Sequence, residues 1–403
     1  MKIKEYFNEK ALSRAKIQKV RYENFGGIIS LENPSTLIYV DKNFMRNLGY
    51  KYSPFWKEKP KNYISAPEQV QFSLINKCSF RCRGCYANSG KKTEDELTTE
   101  ECKKVLKILA KKKVFNIAFG GGEPFERKDL FELAKYCRKL GMIPNITTSG
   151  YYITQNIAEK CKVFGVIHVS LDGVGKKYKE IRGIDGFKIA DQAIKNLVKA
   201  RNRVGINCVV CSKNFEHLPK IIKYGEDQKV ESILFLRFKP IGRGGKIYEE
   251  MKLSSKQNRK FFPLFKNLQK KTKIMLRIDC SFVPMVCYHK PPFDVLKFWG
   301  VEGCPAANLV LGILPNGQFN ACSFCKDTGG KVTNLFQEWK NSNNKHFQKF
   351  RSWVKRAKPP CNSCSYLNIC RGGCHIVAEY ITGDFFSPDP ECPWVNNYYR
   401  QLD

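Results

Sequence analysis

Between residues 67 and 275 short apolar runs alternate with amphipathic stretches. The apolar runs at 70–75, 114–119, 144–148, 166–171, 205–210 and 232–238 are rich in Val, Ile and Phe and short enough for strands. Between them, apolar positions recur at helical spacing over 98–112, 129–140, 155–164, 187–203 and 215–224. Thr98 with Glu101 makes a capping box at the start of the first of these helices. Strands alternating with helices in units of about 30–40 residues predict parallel strands with the helices outside them. The expected fold class is α/β, a partial (β/α)6 barrel.

The flanks read differently. Residues 1–66 carry two β-prone runs, 27–31 and 36–40, joined by the turn-prone Glu32-Asn33-Pro34-Ser35, which predicts a β-hairpin appendage. A short helix is expected over 43–48. From about 276 to 403, helical periodicity gives way to Cys, Gly, Pro and Asn. Three parts are therefore expected: 1–66, 67–275 and 276–403.

Charge and cysteine usage narrow the possibilities. Seventy Lys and Arg against 37 Asp and Glu give a net charge of +33. Such a field draws acidic peptides, nucleotides or nucleic acid. It reads first as a lysine-rich solvated surface, and a nucleic-acid partner is not expected. No apolar run approaches the roughly 18 residues of a membrane span. Met1-Lys2-Ile3-Lys4-Glu5-Tyr6 lacks a secretory apolar region, so a cytoplasmic protein is expected. Eighteen cysteines in that setting point to metal ligands rather than disulfides.

The chemistry starts directly after the first barrel strand, in Cys78-Ser79-Phe80-Arg81-Cys82-Arg83-Gly84-Cys85. Spacers of three and two residues let one loop wrap three thiolates around a metal site. With no fourth local cysteine, a four-iron cube held there keeps one iron free for a reactant. A zinc knot or a ferredoxin-type site could use the same run. One unit later stands Gly120-Gly121-Gly122-Glu123-Pro124, whose glycines let backbone approach a ligand and whose Glu can pair with an ammonium. Further strand ends carry Thr147-Thr148-Ser149-Gly150, then Ser170-Leu171-Asp172-Gly173 with Arg182 beyond. Asn207 and the Arg237–Arg243 stretch follow. In a parallel barrel, chemistry collects at this C-terminal edge.

The cysteine loop followed by Gly-Gly-Glu-Pro resembles the radical S-adenosylmethionine (SAM) enzymes. The resemblance implies a partial barrel in which Cys78, Cys82 and Cys85 bind a 4Fe-4S cluster. Its open iron is chelated by SAM, and reductive cleavage yields a 5′-deoxyadenosyl radical. By the same resemblance Gly121, Gly122, Glu123 and Pro124 contact the SAM amino group, while Ser170 and Arg182 hold its carboxylate and ribose. The sequence departs from the family at Gly84, where many members place an aromatic residue beside the adenine. Tyr86 stands on the other side of Cys85, and no adenine contact is assigned.

Cys304, Cys322, Cys361, Cys364, Cys370, Cys374 and Cys392, with Gly317 between the first two, resemble the SPASM extension of radical SAM peptide maturases. The resemblance implies two auxiliary 4Fe-4S clusters, three in all. Cys304, Cys322 and Cys374 would hold the first, and Cys361, Cys364, Cys370 and Cys392 the second. The usual fourth ligand of the first lies six residues before Cys304, where Phe298 stands. Cys280, Cys287 or Cys325 could replace it, or one iron could stay open. A structural zinc ribbon is the alternative for 361–374. Cys102, Cys137, Cys161, Cys208 and Cys211 fall in predicted helices and strands and read as small buried apolar residues. The appendage somewhat resembles peptide-recognition elements of the family, with an edge that could accept a peptide strand; a simple cap on the barrel is the alternative.

Together these features predict an iron–sulfur oxidoreductase that oxidatively modifies a side chain of a peptide or protein. A flavodoxin- or ferredoxin-type electron donor is implied, and no catalytic acid or base is named. A formylglycine-forming sulfatase maturase is an alternative, but it would need Asp where Ser323 follows Cys322. Modification of a tetrapyrrole or other small molecule is a second. Outside the class stand an iron–sulfur electron carrier and a nucleic-acid-binding zinc protein.

Overall fold

A computed structural model describes residues 16–31 and 36–401. The expected turn Glu32–Ser35 and the segment Met1–Tyr6 lie outside the described residues.

The barrel strands form where the alternation predicts them. They are β4 (Gln69–Ile75), β5 (Asn116–Gly121), β6 (Ile143–Thr148), β7 (Ile167–Ser170), β8 (Val204–Val210) and β9 (Ser232–Arg237). Each pairs in parallel with the next. The outer layer contains α2 (Thr99–Lys111), α3 (Leu130–Lys139), α4 (Gln155–Lys160), α5 (Lys176–Arg182), α6 (Phe187–Lys199), α7 (Leu218–Asp227) and α8 (Ser255–Lys271), following α1 (Lys42–Asn47) of the N-terminal part. In α2 the capping box is complete: Glu101 N–H donates to Thr98 Oγ1 at 3.3 Å, and Thr98 N–H donates to Glu101 Oε2 at 2.8 Å. Below it Cys102, Val105, Leu106 and Leu109 recur at one-turn spacing, all buried against the sheet. Full burial of one such side chain contributes about 1.5–3 kcal/mol. Val70, Phe72 and Leu74 of β4 alternate into the same core.

The sheet is larger than the six expected strands. β10 (Met275–Ile278) pairs in parallel with β9, beyond the expected end of the barrel. On the other side β11 (Val310–Ile313) pairs in parallel with β4 and continues through β12 (Gln318–Asn320) and β13 (Gly330–Lys331) in antiparallel fashion. The order is β10-β9-β8-β7-β6-β5-β4-β11-β12-β13. The cysteine-rich segment thus adds strands to the edge beside the first barrel strand. Short runs of two to four residues give too little alternation to be read from sequence.

The appendage is a three-stranded antiparallel sheet rather than a hairpin. β1 (Ile17–Glu23) pairs with β2 (Gly26–Leu31), and β2 with β3 (Thr36–Asp41). Its core is Ile29, Leu31, Val40, Met45 and Trp56. β1 escaped prediction because Lys19, Arg21 and Glu23 give it a surface-like pattern. Arg21 is buried instead: it pairs with Glu23 at 2.8 Å, donates to the Pro67 carbonyl at 3.0 Å and sits 4.9 Å over the Phe115 ring. That contact docks the sheet on the barrel. Cys102, Cys137, Cys161, Cys208 and Cys211 are all buried in the core, as expected of small apolar side chains.

A second buried pair joins the barrel to the C-terminal segment. Arg237, at the end of β9, donates to Asp389 at 2.8 Å, with both side chains essentially inaccessible. Glu391 lies 3.4 Å from the same guanidinium. Removing one partner of such a pair leaves an uncompensated buried charge. Arg237→Met is expected to cost about 3–5 kcal/mol, with Asp389→Asn added in the same chain recovering part of the loss; urea unfolding of the full chain measures both.

Candidate cluster and cofactor site

Three thiols lie on the loop that leaves β4, and backbone bonds shape that loop before any metal is considered. Cys85 N–H donates to the Cys82 carbonyl at 3.3 Å, Asn88 N–H to the Cys85 carbonyl at 3.3 Å, and Cys78 N–H to the Gly90 carbonyl at 2.9 Å. Arg81 takes a positive φ of 43° within the turn. Cys78, Cys82 and Cys85 are each partly accessible, as free thiols. Burial pushes the Cys78 thiol up to about 11.

Three arginines tie the loop to other elements, Arg83 from within it and Arg243 and Arg182 from outside. Arg83 donates to the Ile181 carbonyl at 3.0 Å, and its own N–H to the Arg182 carbonyl at 2.9 Å. Arg243 donates to the Cys82 carbonyl at 2.8 Å and the Ser89 carbonyl at 2.7 Å. Arg182, brought in by α5, donates to Cys82 Sγ at 3.4 Å and pairs with Asp172 at 2.9 Å. Arg182 is therefore no solvated charge: it is a cation held between a thiol and a buried carboxylate. The roles of Arg83 and Arg243 were not read from the sequence, because both look like ordinary surface arginines there.

The glycine run packs against the loop's first turn. Gly122 N–H donates to the Ile75 carbonyl at 2.6 Å, and Glu123 N–H to the Lys77 carbonyl at 2.9 Å. A Cβ on Gly122 would fall 2.0 Å from the Lys77 oxygen, and Gly121 has φ +120° with the Ile75 oxygen 2.3 Å from its would-be Cβ. A Cβ on Gly120 meets nothing within 4 Å. Glu123 is buried; it accepts from Thr148 Oγ1 at 2.8 Å, Ser149 N–H at 2.8 Å and the Ser149 hydroxyl. Burial raises its pKa while these hydrogen bonds lower it. Pro124 is buried at the start of the turn Pro124–Glu126. Ser170 ends β7, in register with Asn207 of β8.

Gly84 is in contact with an aromatic ring after all. Phe238, just past β9, lies so close that a Cβ on Gly84 would meet its ring at 2.9 Å. The departure at Gly84 thus makes room for a ring supplied from another strand.

The C-terminal cysteines gather in two groups. Cys304 lies within electrostatic reach of Cys322 and Cys374. Cys361 is likewise within reach of Cys364, Cys370 and Cys392. Asp389 ties the groups together: its carboxylate accepts from Cys374 N–H at 2.9 Å, and its carbonyl from Cys392 N–H at 3.0 Å. Burial raises the thiol pKa of Cys304, Cys361 and Cys392, so metal binding must displace protons there. Among the described residues no three His, Cys, Asp or Glu side chains converge closely enough for a single metal ion. The polar surroundings also suit a bound cofactor, since Arg182 Nε, Tyr178 OH and Asn207 Oδ1 are buried without a partner at the barrel's C-terminal edge.

Comparison with known proteins agrees with this arrangement. Residues 72–225 match the Radical SAM superfamily. The mycofactocin maturase MftC of Mycolicibacterium smegmatis is 29% identical over 340 residues, covering 82% of this chain and 83% of the relative. The Fe-coproporphyrin III synthase of Methanosarcina barkeri is 29% identical over 351 residues, covering 80% and 87%. In fold, the chain is similar to Streptococcus suis SuiB bound to its precursor peptide SuiA, with TM-score 0.73 at 17% identity over 93% of this chain and 98% of that one. The chain carries a radical SAM domain and is an iron–sulfur enzyme. That domain implies a 4Fe-4S cluster and SAM as cofactors.

Gly122→Ala is expected to lower the thermal midpoint of the full chain, with overpacking costing about 1–3 kcal/mol. Gly120→Ala should leave the midpoint unchanged, since its methyl group enters open space; differential scanning fluorimetry compares the two.

Proposed function

We propose that this enzyme oxidatively modifies a side chain of a peptide or protein, forming a crosslink or a similar bond. The placement of Arg182 on Cys82, at the edge where the glycine turn meets the cysteine loop, is the observation that carries the reading. In this proposal Cys78, Cys82 and Cys85 hold the SAM-binding cluster, and Gly121, Gly122, Glu123, Pro124, Ser170 and Arg182 hold SAM. Cys304, Cys322 and Cys374 serve a first auxiliary cluster, and Cys361, Cys364, Cys370 and Cys392 a second. When bound, these groups supply a 5′-deoxyadenosyl radical for hydrogen abstraction and a sink for the electron left behind.

The protein's own part is positioning. Arg182 links Cys82 to Asp172, and the Gly122 turn packs against the start of the cysteine loop at Lys77. Thr148 and Ser149 fix Glu123, whose buried carboxylate is the negative group offered to an ammonium. The proposed organisation is an appendage at 1–66, a radical-generating barrel at 67–275 and an auxiliary-cluster domain at 276–403. The appendage's β-sheet edge is a candidate for peptide recognition by strand addition. A flavodoxin- or ferredoxin-type protein is the proposed electron donor, drawn by the net charge of +33. Among the described residues no helix is long and apolar enough to cross a membrane, in keeping with the proposed cytoplasmic location.

A second reading, modification of a tetrapyrrole, is favoured by the Fe-coproporphyrin III synthase, at the same 29% identity as the mycofactocin maturase. The substrate separates the two. Anaerobically reconstituted enzyme with SAM and reductant is expected to release 5′-deoxyadenosine and to carry about twelve irons per chain, as three four-iron clusters require. Cys82→Ala should abolish that release while leaving about eight irons bound. Incubation with a short peptide encoded beside the gene should yield a product lighter by two hydrogens in the mass spectrum. Formation of Fe-coproporphyrin III from a tetrapyrrole precursor, with the peptide unchanged, would establish the second reading instead.

A further inference from the structure

We infer that Cys280 supplies the fourth thiolate of the first auxiliary cluster site, beside Cys304, Cys322 and Cys374, and that Cys325 stays outside that coordination sphere. The inference rests on the three-cluster reading above. Its starting point is an absence of chemistry: Phe298, six residues before Cys304, has no donor atom and ends the helix Phe293–Phe298 with its ring against Trp299 on the surface. A replacement must come from another element.

Cys280 arrives from β10, the added barrel strand. Asp279 N–H donates to the Phe235 carbonyl at 3.0 Å, and the turn Cys280–Phe282 then plants Phe282 flat on Phe261, with ring centroids 3.8 Å apart. The backbone on both sides of Cys280 is thereby fixed. Each flanking residue is also tied through one buried cation to the neighbourhood of another ligand. The Ser281 carbonyl accepts from Arg237 at 2.8 Å; Arg237 pairs with Asp389, and Asp389 accepts from Cys374 N–H at 2.9 Å. Asp279 pairs with Lys239 at 2.5 Å, and the same ammonium lies 4.4 Å over the Phe324 ring. Phe324 N–H in turn donates to Cys322 Sγ at 3.4 Å. Within this frame Cys280 lies in electrostatic reach of both Cys304 and Cys374.

The other two candidates sit wrongly. The Cys287 thiol is in hydrogen-bond contact with Cys370, so it belongs beside the second group. The Cys325 thiol sits against Cys322 on the same turn, where Cys325 N–H donates to the Cys322 carbonyl at 2.9 Å. It competes for the corner that Cys322 occupies instead of reaching a free one. Its other neighbours are the Cys304 thiol and Lys349, whose ammonium pairs with the exposed Asp327. With Cys280 bound, every iron of the first auxiliary cluster carries a protein thiolate, and no corner remains for a substrate donor.

The test uses the full chain with Cys78, Cys82 and Cys85 changed to Ala, which isolates the auxiliary clusters. This parent should retain about eight irons and two electron paramagnetic resonance signals on reduction. Cys280→Ala in that background is expected to alter one signal and leave the other in place as a record of folding, and added 2-mercaptoethanol should restore the altered one. Cys325→Ala should match the parent. Unchanged signals in Cys280→Ala, a change that added thiol does not restore, or an altered signal in Cys325→Ala would overturn the assignment. A parent chain without bound iron would instead overturn the three-cluster reading itself.

Discussion

The buried pair of Arg237 with Asp389 joins residues 152 positions apart in the chain. Neither charge has access to water, so each depends on the other and on the hydrogen bonds around it. Arg237 also donates to the Ser281 carbonyl, and Asp389 accepts from the backbone N–H groups of Cys374 and Glu391. One ion pair thus sets the end of β9, the turn after β10 and two cysteine loops relative to one another. Hydrophobic packing could bring these segments together without fixing their register. A charge pair that tolerates no misalignment does fix it, without adding net stability beyond what packing alone supplies.

Much of the barrel was legible because local signals agreed with the global fold. The alternation over 70–75 and 232–238 matches β4 and β9, and the Thr98–Glu101 capping box opens α2 where expected. What escaped was held by distant partners. β1 carries charges at Lys19 and Arg21 that look solvated, yet Arg21 is satisfied by Glu23 and Pro67. The helix Lys176–Arg182 begins after a glycine without a side-chain cap, so nothing local marks its start. It nevertheless delivers Arg182 to Cys82. β10 was missed for shortness, and with it the element that positions Cys280.

The candidate site divides along the same line. Cysteine spacing and the glycine run were readable because each acts within a few residues: a loop must wrap, and a turn must let backbone pass. Gly122 shows this plainly, since only the absence of a side chain permits the Lys77 carbonyl to lie where it does. The bracing by Arg83 and Arg243 was not readable, because a guanidinium bonded to carbonyls far away in the sequence leaves no mark on its own neighbours. Gly84 was read as a departure, and in sequence it is one. In space the ring of Phe238 stands against it, and the loss of an aromatic at one position is accompanied by one from β9.

The cysteine loop and the first auxiliary group approach each other through side chains adjacent to their thiols. Tyr86 follows Cys85, and its ring lies 5.0 Å from that of Phe324, whose N–H donates to Cys322 Sγ. Between Phe324 and Cys322 stands Ser323, and its hydroxyl is committed to Gln71 of β4. A formylglycine-forming maturase needs a carboxylate at that position to take a proton from its substrate. Here the side chain is neutral and already bonded, so this position offers no base. The nearest ionised pair, Lys239 with Asp279, faces the same aromatic ring from the barrel side. Its ions neutralise each other and secure the turn that carries Cys280, an arrangement suited to holding thiolates in place rather than to exchanging protons with a substrate.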